Sequence, residues 1–188
     1  MKFKKAKRLF DEYHDKWKDH HVFAHGMRVM RYATKVCEEL GLSIHESTVI
    51  ELAAKYHDIG KIMYPPRMHE QNRKFTKRDI KIFKKHVKYG YDILKGFYGD
   101  DSIAKLVLYH HEKIDGSGYL KGLKGEDIPL GSRIITVCDA YDAMFRHYCQ
   151  KTGEEAIQEL KRGKGTHFDE TVVGVFLEVL GAENGNSP

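Results

Sequence analysis

A histidine followed directly by an aspartate, His57-Asp58, with Gly60 and Lys61 close behind, is the stretch of this sequence best equipped for chemistry. Imidazole and carboxylate are the ligands that borderline divalent metals such as Mn, Fe(II) and Zn accept together. If the helical pattern before the pair persists one more turn, Lys61 lies four residues past His57 on the same face. An ammonium there can reach a phosphate oxygen. Alone the pair is a weak signal, because His-Asp dipeptides also occur on ordinary surfaces and in cores. Its company strengthens it: His25, His86, His110, His111 and Asp139 fall on successive expected helices, mostly near their ends. Burying that many polar groups costs on the order of several kcal/mol unless ions or hydrogen bonds satisfy them. A shared metal site satisfies them together, as in helical bundles that gather carboxylates and imidazoles around paired ions.

The elements that must carry these residues read as helices. Phe3, Ala6, Phe10, Tyr13 and Trp17 recur at steps of three and four, drawing an amphipathic first helix whose apolar stripe packs and whose Lys and Asp face out. A second runs from near Val22 to Leu40, with Gly41 as its stop, and places His21 and His25 on one face. Ser43 with Glu46 is a capping box for a third, which delivers His57-Asp58 at its C-terminal end. Pro65-Pro66 forbids a helix in the following loop. Thr76, as N-cap with Asp79, opens a helix through Ile80, Phe83, Val87 and Leu94 that carries His86. Another spans Ile103 to Glu112 and ends in His110-His111-Glu112. From Asp115 to Gly125, four glycines in eleven residues mark a loop whose backbone is free to approach a ligand. Helices from Gly131 to about Arg146, carrying Asp139, then Glu154–Arg162 and Asp169–Leu180 complete the chain, with a frayed tail over 182–188. No period-2 run is present. The expectation is an all-α single domain of about seven helices: a packing helix over 1–20 and a domain over 21–181 with the metal centre in its core.

Composition bounds the rest. A chain of 188 residues, 41% apolar and 31% charged, fits one soluble globular domain. No apolar h-region follows the basic start, and no window approaches the ~18 apolar residues of a membrane span, so a membrane partner is not expected. Cys37, Cys138 and Cys149 are odd in number and widely spaced, which fits reduced thiols in a cytoplasm. The net charge of +5 suits an anionic partner. The Lys-rich first helix lacks stacking aromatics on its basic face, so nucleic acid is not expected.

Taken in order, the motifs resemble the HD-GYP family of HD-superfamily phosphodiesterases from about His21 to Leu180. They are His57-Asp58-Ile59-Gly60-Lys61, Lys85-His86, His110-His111-Glu112, Asp115-Gly116-Ser117-Gly118-Tyr119 and Gly122-Leu123-Lys124-Gly125. Ile128 to Ile134, Asp139 with Tyr141-Asp142-Ala143, and Gly165-Thr166-His167-Phe168-Asp169 follow. The resemblance implies an all-α domain with two or three metals, usually iron or manganese, that hydrolyses cyclic di-GMP. Carried over residue by residue, it implies Asp58 as the bridging ligand. His25, His57 and Asp139 go with one ion, and His86, His110 and His111 with the other. His21 is the candidate for a third ion, standing where three-metal relatives have Glu. Lys61 is expected to neutralise phosphoryl charge, and Asp115, Gly118, Tyr119 and Lys151 to meet the substrate. Two positions depart from the pattern: Leu120 replaces the proline of Gly-Tyr-Pro, and Tyr148 stands where the family usually has a dinucleotide-binding Arg. Those departures keep another nucleotide, such as cyclic GMP-AMP or a 5′-nucleotide, as the alternative substrate. A non-catalytic nucleotide sensor is a further alternative, but it predicts missing ligands, and all seven are present. Many members attach this domain to a receiver; here there is no room for one, so regulation is expected from expression, a partner or the metal's redox state.

Overall fold

The computed structural model describes residues 1–17, 21–69, 74–147 and 151–185. Among them nine α-helices form and no strand, only an isolated bridge between Lys164 and Phe168. The all-α expectation holds.

Helix α1 (Phe3–Trp17) buries the stripe Ala6, Leu9, Phe10 and Tyr13. Its Phe10 stacks on Phe97 of α5 (His86–Tyr98) at 4.0 Å and 9°. Helix α2 (His21–Glu39) turns His25, Gly26, Val29, Ala33, Val36 and Cys37 inward against α3 (Ile44–Tyr56). A Cβ on Gly26 would stand 2.3 Å from the Lys55 carbonyl oxygen, so only glycine allows this approach. The Ser43–Glu46 capping box forms as expected. Helix α3 stops at Tyr56, however, and residues Ile59–Met63 wind as a tighter 3₁₀ turn. Lys61 therefore stands one 3₁₀ turn beyond Asp58, and pairs with it rather than with His57.

The single helix expected through Thr76, His86 and Leu94 is two. Helix α4 (Lys77–Phe83) begins at its Thr76–Asp79 capping box, and the chain breaks at Lys84-Lys85 before α5. The break frees the Phe83 carbonyl to accept from the His86 ring, a use that a continuous helix would deny it. Helix α6 (Ser102–Tyr109) stops just before His110. Helix α7 (Leu130–Asp142) passes into a π turn over Ala143–His147, and α8 (Gly153–Arg162) and α9 (Glu170–Gly185) close the domain. The backbone of α9 thus continues helical beyond Leu180.

One apolar core runs through the fold, from Phe10 and Tyr13 through Val29, Ala53, Ile93 and Ile135 to Phe176. Cys37 and Cys138 are buried free thiols within it; Cys149 and Tyr148 lie outside the described residues. No described helix is long and apolar enough to cross a membrane.

Candidate metal centre

Three histidines are held by one local device. At the end of α3 the His57 Nδ1 donates to the Ala54 carbonyl at 2.7 Å. At the start of α5 the His86 Nδ1 donates to Phe83, and at the end of α6 the His110 Nδ1 donates to Val107, each at 2.7 Å. A carbonyl can only accept, so each Nδ1 carries a proton, and wherever the ring is neutral its Nε2 presents a lone pair. Helix ends supply these carbonyls because the last turn leaves them without intrahelical partners. The three rings point inward, fully buried.

The fourth histidine reaches the cluster from mid-helix. His25 of α2 donates through Nδ1 to Asp142 Oδ2 at 2.6 Å and faces Asp139 Oδ1 through Nε2 at 2.9 Å. Asp142, wholly buried, is clamped by Arg28 through Nε at 2.7 Å and Nη2 at 2.9 Å. An imidazole oriented by a carboxylate behind it is the usual support of a metal ligand.

Asp58 lies between the two halves. Its Oδ1 is 3.5 Å from His86 Nε2, while Oδ2 is 3.4 Å from His57 Nε2 and pairs with Lys61. His57 Nε2 is also 3.7 Å from Asp139 Oδ1. The candidate donor atoms fall into three overlapping groups, each within 4.8 Å: His25, His57 and Asp58; His57, His110 and Asp139; and His86, His110 and His111. All seven expected ligands are thus brought together. His21 is exposed at the start of α2 and belongs to none of these groups.

The donor set fits a divalent cation. His57 Nε2 is buried without a hydrogen-bond partner. The Nε2 atoms of His86 and His110 face each other at 3.5 Å, both as lone pairs, and two acceptors cannot satisfy one another. Burial lowers the pKa of His86 to about 3 and of His111 to about 4, and holds His110 well below the ordinary range. These rings are therefore neutral, as ligands must be. Burial would also lower His25, but hydrogen bonds to Asp139 and Asp142 outweigh it and raise the pKa to about 9. Without an ion its Nε2 proton therefore lies against Asp139, and would have to leave for His25 to ligate. Burial disfavours a charged Asp58, yet Lys61 and His57 hold it far below the usual carboxylate range.

The residues expected at the substrate divide. Lys61, mostly buried, sits beside Asp58 with its ammonium 5.3 Å over the Phe83 ring. Tyr119 packs its ring on His111 at 5.0 Å, and its buried hydroxyl has no partner. Gly118 is where the loop touches the site's wall: a Cβ there would meet Glu112 Oε2 at 2.4 Å. Asp115, by contrast, is exposed and accepts from the Ser117 amide at 2.8 Å, making a turn of its own loop. Lys151 pairs with Glu159 of α8.

Two supporting residues, Asp142 and Glu112, have roles that the sequence does not reveal. Asp142 stands one helical turn after Asp139, the spacing that signals a shared face. Glu112 is buried, and accepts the backbone N–H of Lys121 at 2.6 Å and of Gly122 at 3.1 Å, fastening the loop that carries Tyr119. Nothing in its local sequence marks the second of these.

Comparison with known proteins agrees with this geometry. The HD domain family model matches residues 15–172. The cyclic di-GMP phosphodiesterase response regulator RpfG of Xanthomonas campestris is 39% identical over 155 residues, covering 80% of this chain and 41% of that protein. The 3′3′-cGAMP-specific phosphodiesterase 2 of Vibrio cholerae is 36% identical over 160 residues, covering 82% and 31%. The chain therefore spans less than half the length of these relatives. Among solved structures, an HDG"Y"P protein from Bdellovibrio bacteriovorus superposes with a TM-score of 0.72 at 19% identity, over 94% of this chain and 61% of that one, a likeness of fold. The chain belongs to the HD domain family, and its resemblance to HD-GYP proteins is borne out.

Proposed function

We propose that this member of the HD domain family is a metal-dependent phosphodiesterase that opens the 3′–5′ phosphodiester of a cyclic dinucleotide, first of all cyclic di-GMP, to the linear dinucleotide or GMP. The observation that carries this reading is the meeting of buried imidazole nitrogens around Asp58, the facing Nε2 atoms of His86 and His110 and the unpartnered Nε2 of His57 among them, with the Lys61 ammonium beside it. His25, His57 and Asp139 would hold one divalent ion, His86, His110 and His111 a second, and Asp58 would serve both; iron or manganese suits this mixed nitrogen and oxygen set. When bound, such a pair supplies Lewis acidity toward phosphoryl oxygens and makes water acidic enough to attack phosphorus near neutral pH.

The chain's own residues do the rest. Lys61, mostly buried and paired with Asp58, is placed to offset negative charge as it grows on the phosphoryl oxygens. Asp142 and Arg28 keep the His25 ring in one orientation. Glu112 holds the 113–122 loop against the site, so that Tyr119 can meet a base or a ribose-phosphate oxygen. The substrate is a small anionic nucleotide rather than nucleic acid or a membrane surface, and the buried free thiols suit the cytoplasm.

Leu120 in the Gly-Tyr-Pro position, exposed on the same loop, favours keeping cyclic GMP-AMP as the second reading. The test is metal analysis of anaerobically purified protein, coupled to product identification from a panel of cyclic di-GMP, cyclic GMP-AMP and 5′-nucleotides with Mn(II) or Fe(II). Turnover of cyclic di-GMP that disappears in Asp58→Ala, with the helical circular dichroism kept, is expected. Hydrolysis by metal-free Asp58→Ala would end this mechanism, and turnover of a non-guanine substrate alone would displace the first choice.

A further inference from the structure

Among the described residues three buried side-chain polar atoms lack a hydrogen-bond partner: Nε2 of His57, and the hydroxyls of Tyr119 and Tyr13. The first two belong to the metal centre. The third comes from α1, the helix read from sequence as packing alone, and it lies ahead of the residues the family model matches. Tyr13 is fully buried, and its ring lies 5.7 Å from that of Phe23 and 6.1 Å from that of Tyr56. Phe23 is two residues before His25, and Tyr56 two residues before Asp58, so the phenol is lodged beside both elements that bring ligands to the centre. Helix α1 also packs on the Ile59–Met63 turn that carries Lys61. Burial first, and then the negative charge of Asp58, push the Tyr13 hydroxyl above its usual pKa, so the phenol stays protonated and within the field of that carboxylate.

A buried hydroxyl without a partner is rare and destabilising, which calls for an acceptor that the protein does not itself provide. The neighbouring rings of His14, Trp17, Phe23 and Tyr56 form an aromatic collar that fixes where the hydroxyl stands. We infer that Tyr13 is a residue of the site: its hydroxyl donates a hydrogen bond to an oxygen acceptor in the pocket on the Asp58 side, making α1 part of the metal centre. This rests on the reading of the pocket as a divalent-metal phosphodiesterase site. The acceptor is either a water ordered by the ion or a phosphoryl oxygen of the substrate.

Tyr13→Phe keeps the ring and removes only the hydroxyl, and is compared with wild type in three measurements on the full chain. These are Mn(II) affinity by calorimetry without nucleotide, kcat and KM for cyclic di-GMP at saturating Mn(II), and the melting temperature of metal-free protein. Loss of one hydrogen bond predicts about a 3- to 10-fold effect. Weaker Mn(II) binding identifies the water as acceptor; unchanged Mn(II) binding with a higher KM or lower kcat identifies the phosphoryl oxygen. In either case metal-free melting stays level or rises, because no protein partner is lost. Mn(II) affinity, kcat and KM all within twofold of wild type would overturn the inference, with the reading of the pocket intact. Wild type that neither binds Mn(II) nor turns over any cyclic dinucleotide would overturn that reading and the inference with it.

Discussion

Replacing Asp142 by Asn tests the idea that the centre is oriented from behind. The carboxylate accepts from His25 Nδ1 at 2.6 Å and from Arg28 at 2.7 and 2.9 Å, with none of its own side chain exposed. The isosteric amide keeps one acceptor oxygen. Whichever donor that oxygen serves, the NH₂ group is turned toward the other. Breaking one side of a buried ion pair costs about 3–5 kcal/mol. Arg28 keeps 25% of its side chain in water, so the loss here is discounted to about 2–3 kcal/mol. For a chain of this size, each kcal/mol moves the melting temperature by about 2–4 °C, giving a fall of about 4–12 °C. Freed from its carboxylate, the His25 ring should also weaken metal binding by about 10- to 100-fold. Differential scanning calorimetry reads the first effect, and metal titration against a competing chelator reads the second. A variant that melts lower yet binds metal within twofold of wild type would refute the orienting role and leave Asp142 a stability element only.

Other expectations follow from the same geometry. Gly60→Ala would put a Cβ 2.0 Å from the His86 carbonyl oxygen and 2.6 Å from the Gly90 nitrogen, both backbone atoms. It should cost about 3 kcal/mol or more and separate Lys61 from His86, read as a lower melting temperature with reduced metal content. Glu112→Gln leaves one acceptor for two amides, so hydrogen exchange at Lys121 and Gly122 should quicken by about tenfold and KM should rise with metal content unchanged. Metal-free protein should lose stability as pH falls from 6.5 toward 4. His86 and His111, held by burial near 3 and 4, take up protons only on unfolding in that window, so the unfolded state binds more of them. His25 acts in the opposite sense: raised to about 9, its contribution is full below 6.5 and fades as pH climbs through 9. Chemical denaturation across pH 4–9 in chelator checks both limbs, and a flat profile below 6.5 would contradict the buried neutral rings.

Sequence alone settled what depends on local order. The Ser43–Glu46 and Thr76–Asp79 capping boxes are contacts between residues three apart, so residue type and spacing decide them. The apolar stripe of α1 and the glycine-rich loop are equally local. The seven candidate ligands were legible because imidazole and carboxylate at helix ends are unusual company, and because their ordered motifs resemble a family.

Tertiary structure decided the remainder. The break at Lys84-Lys85 follows no proline or glycine; it forms where α5 must turn His86 toward Asp58 while α4 keeps its own cap. Asp142 and Glu112 acquire their roles from partners 114 or more residues away on α2 and up to ten residues on in a loop, which no periodicity reports. His21 shares a helical face with His25 by spacing, yet burial of the one and exposure of the other is set by where α2 meets its neighbours. Periodicity assigns Tyr13 to a packing stripe correctly, but cannot tell that its hydroxyl ends up buried without a hydrogen-bond partner. Local chemistry fixes which atoms can donate or accept; only the folded arrangement fixes which of them are left facing a cation.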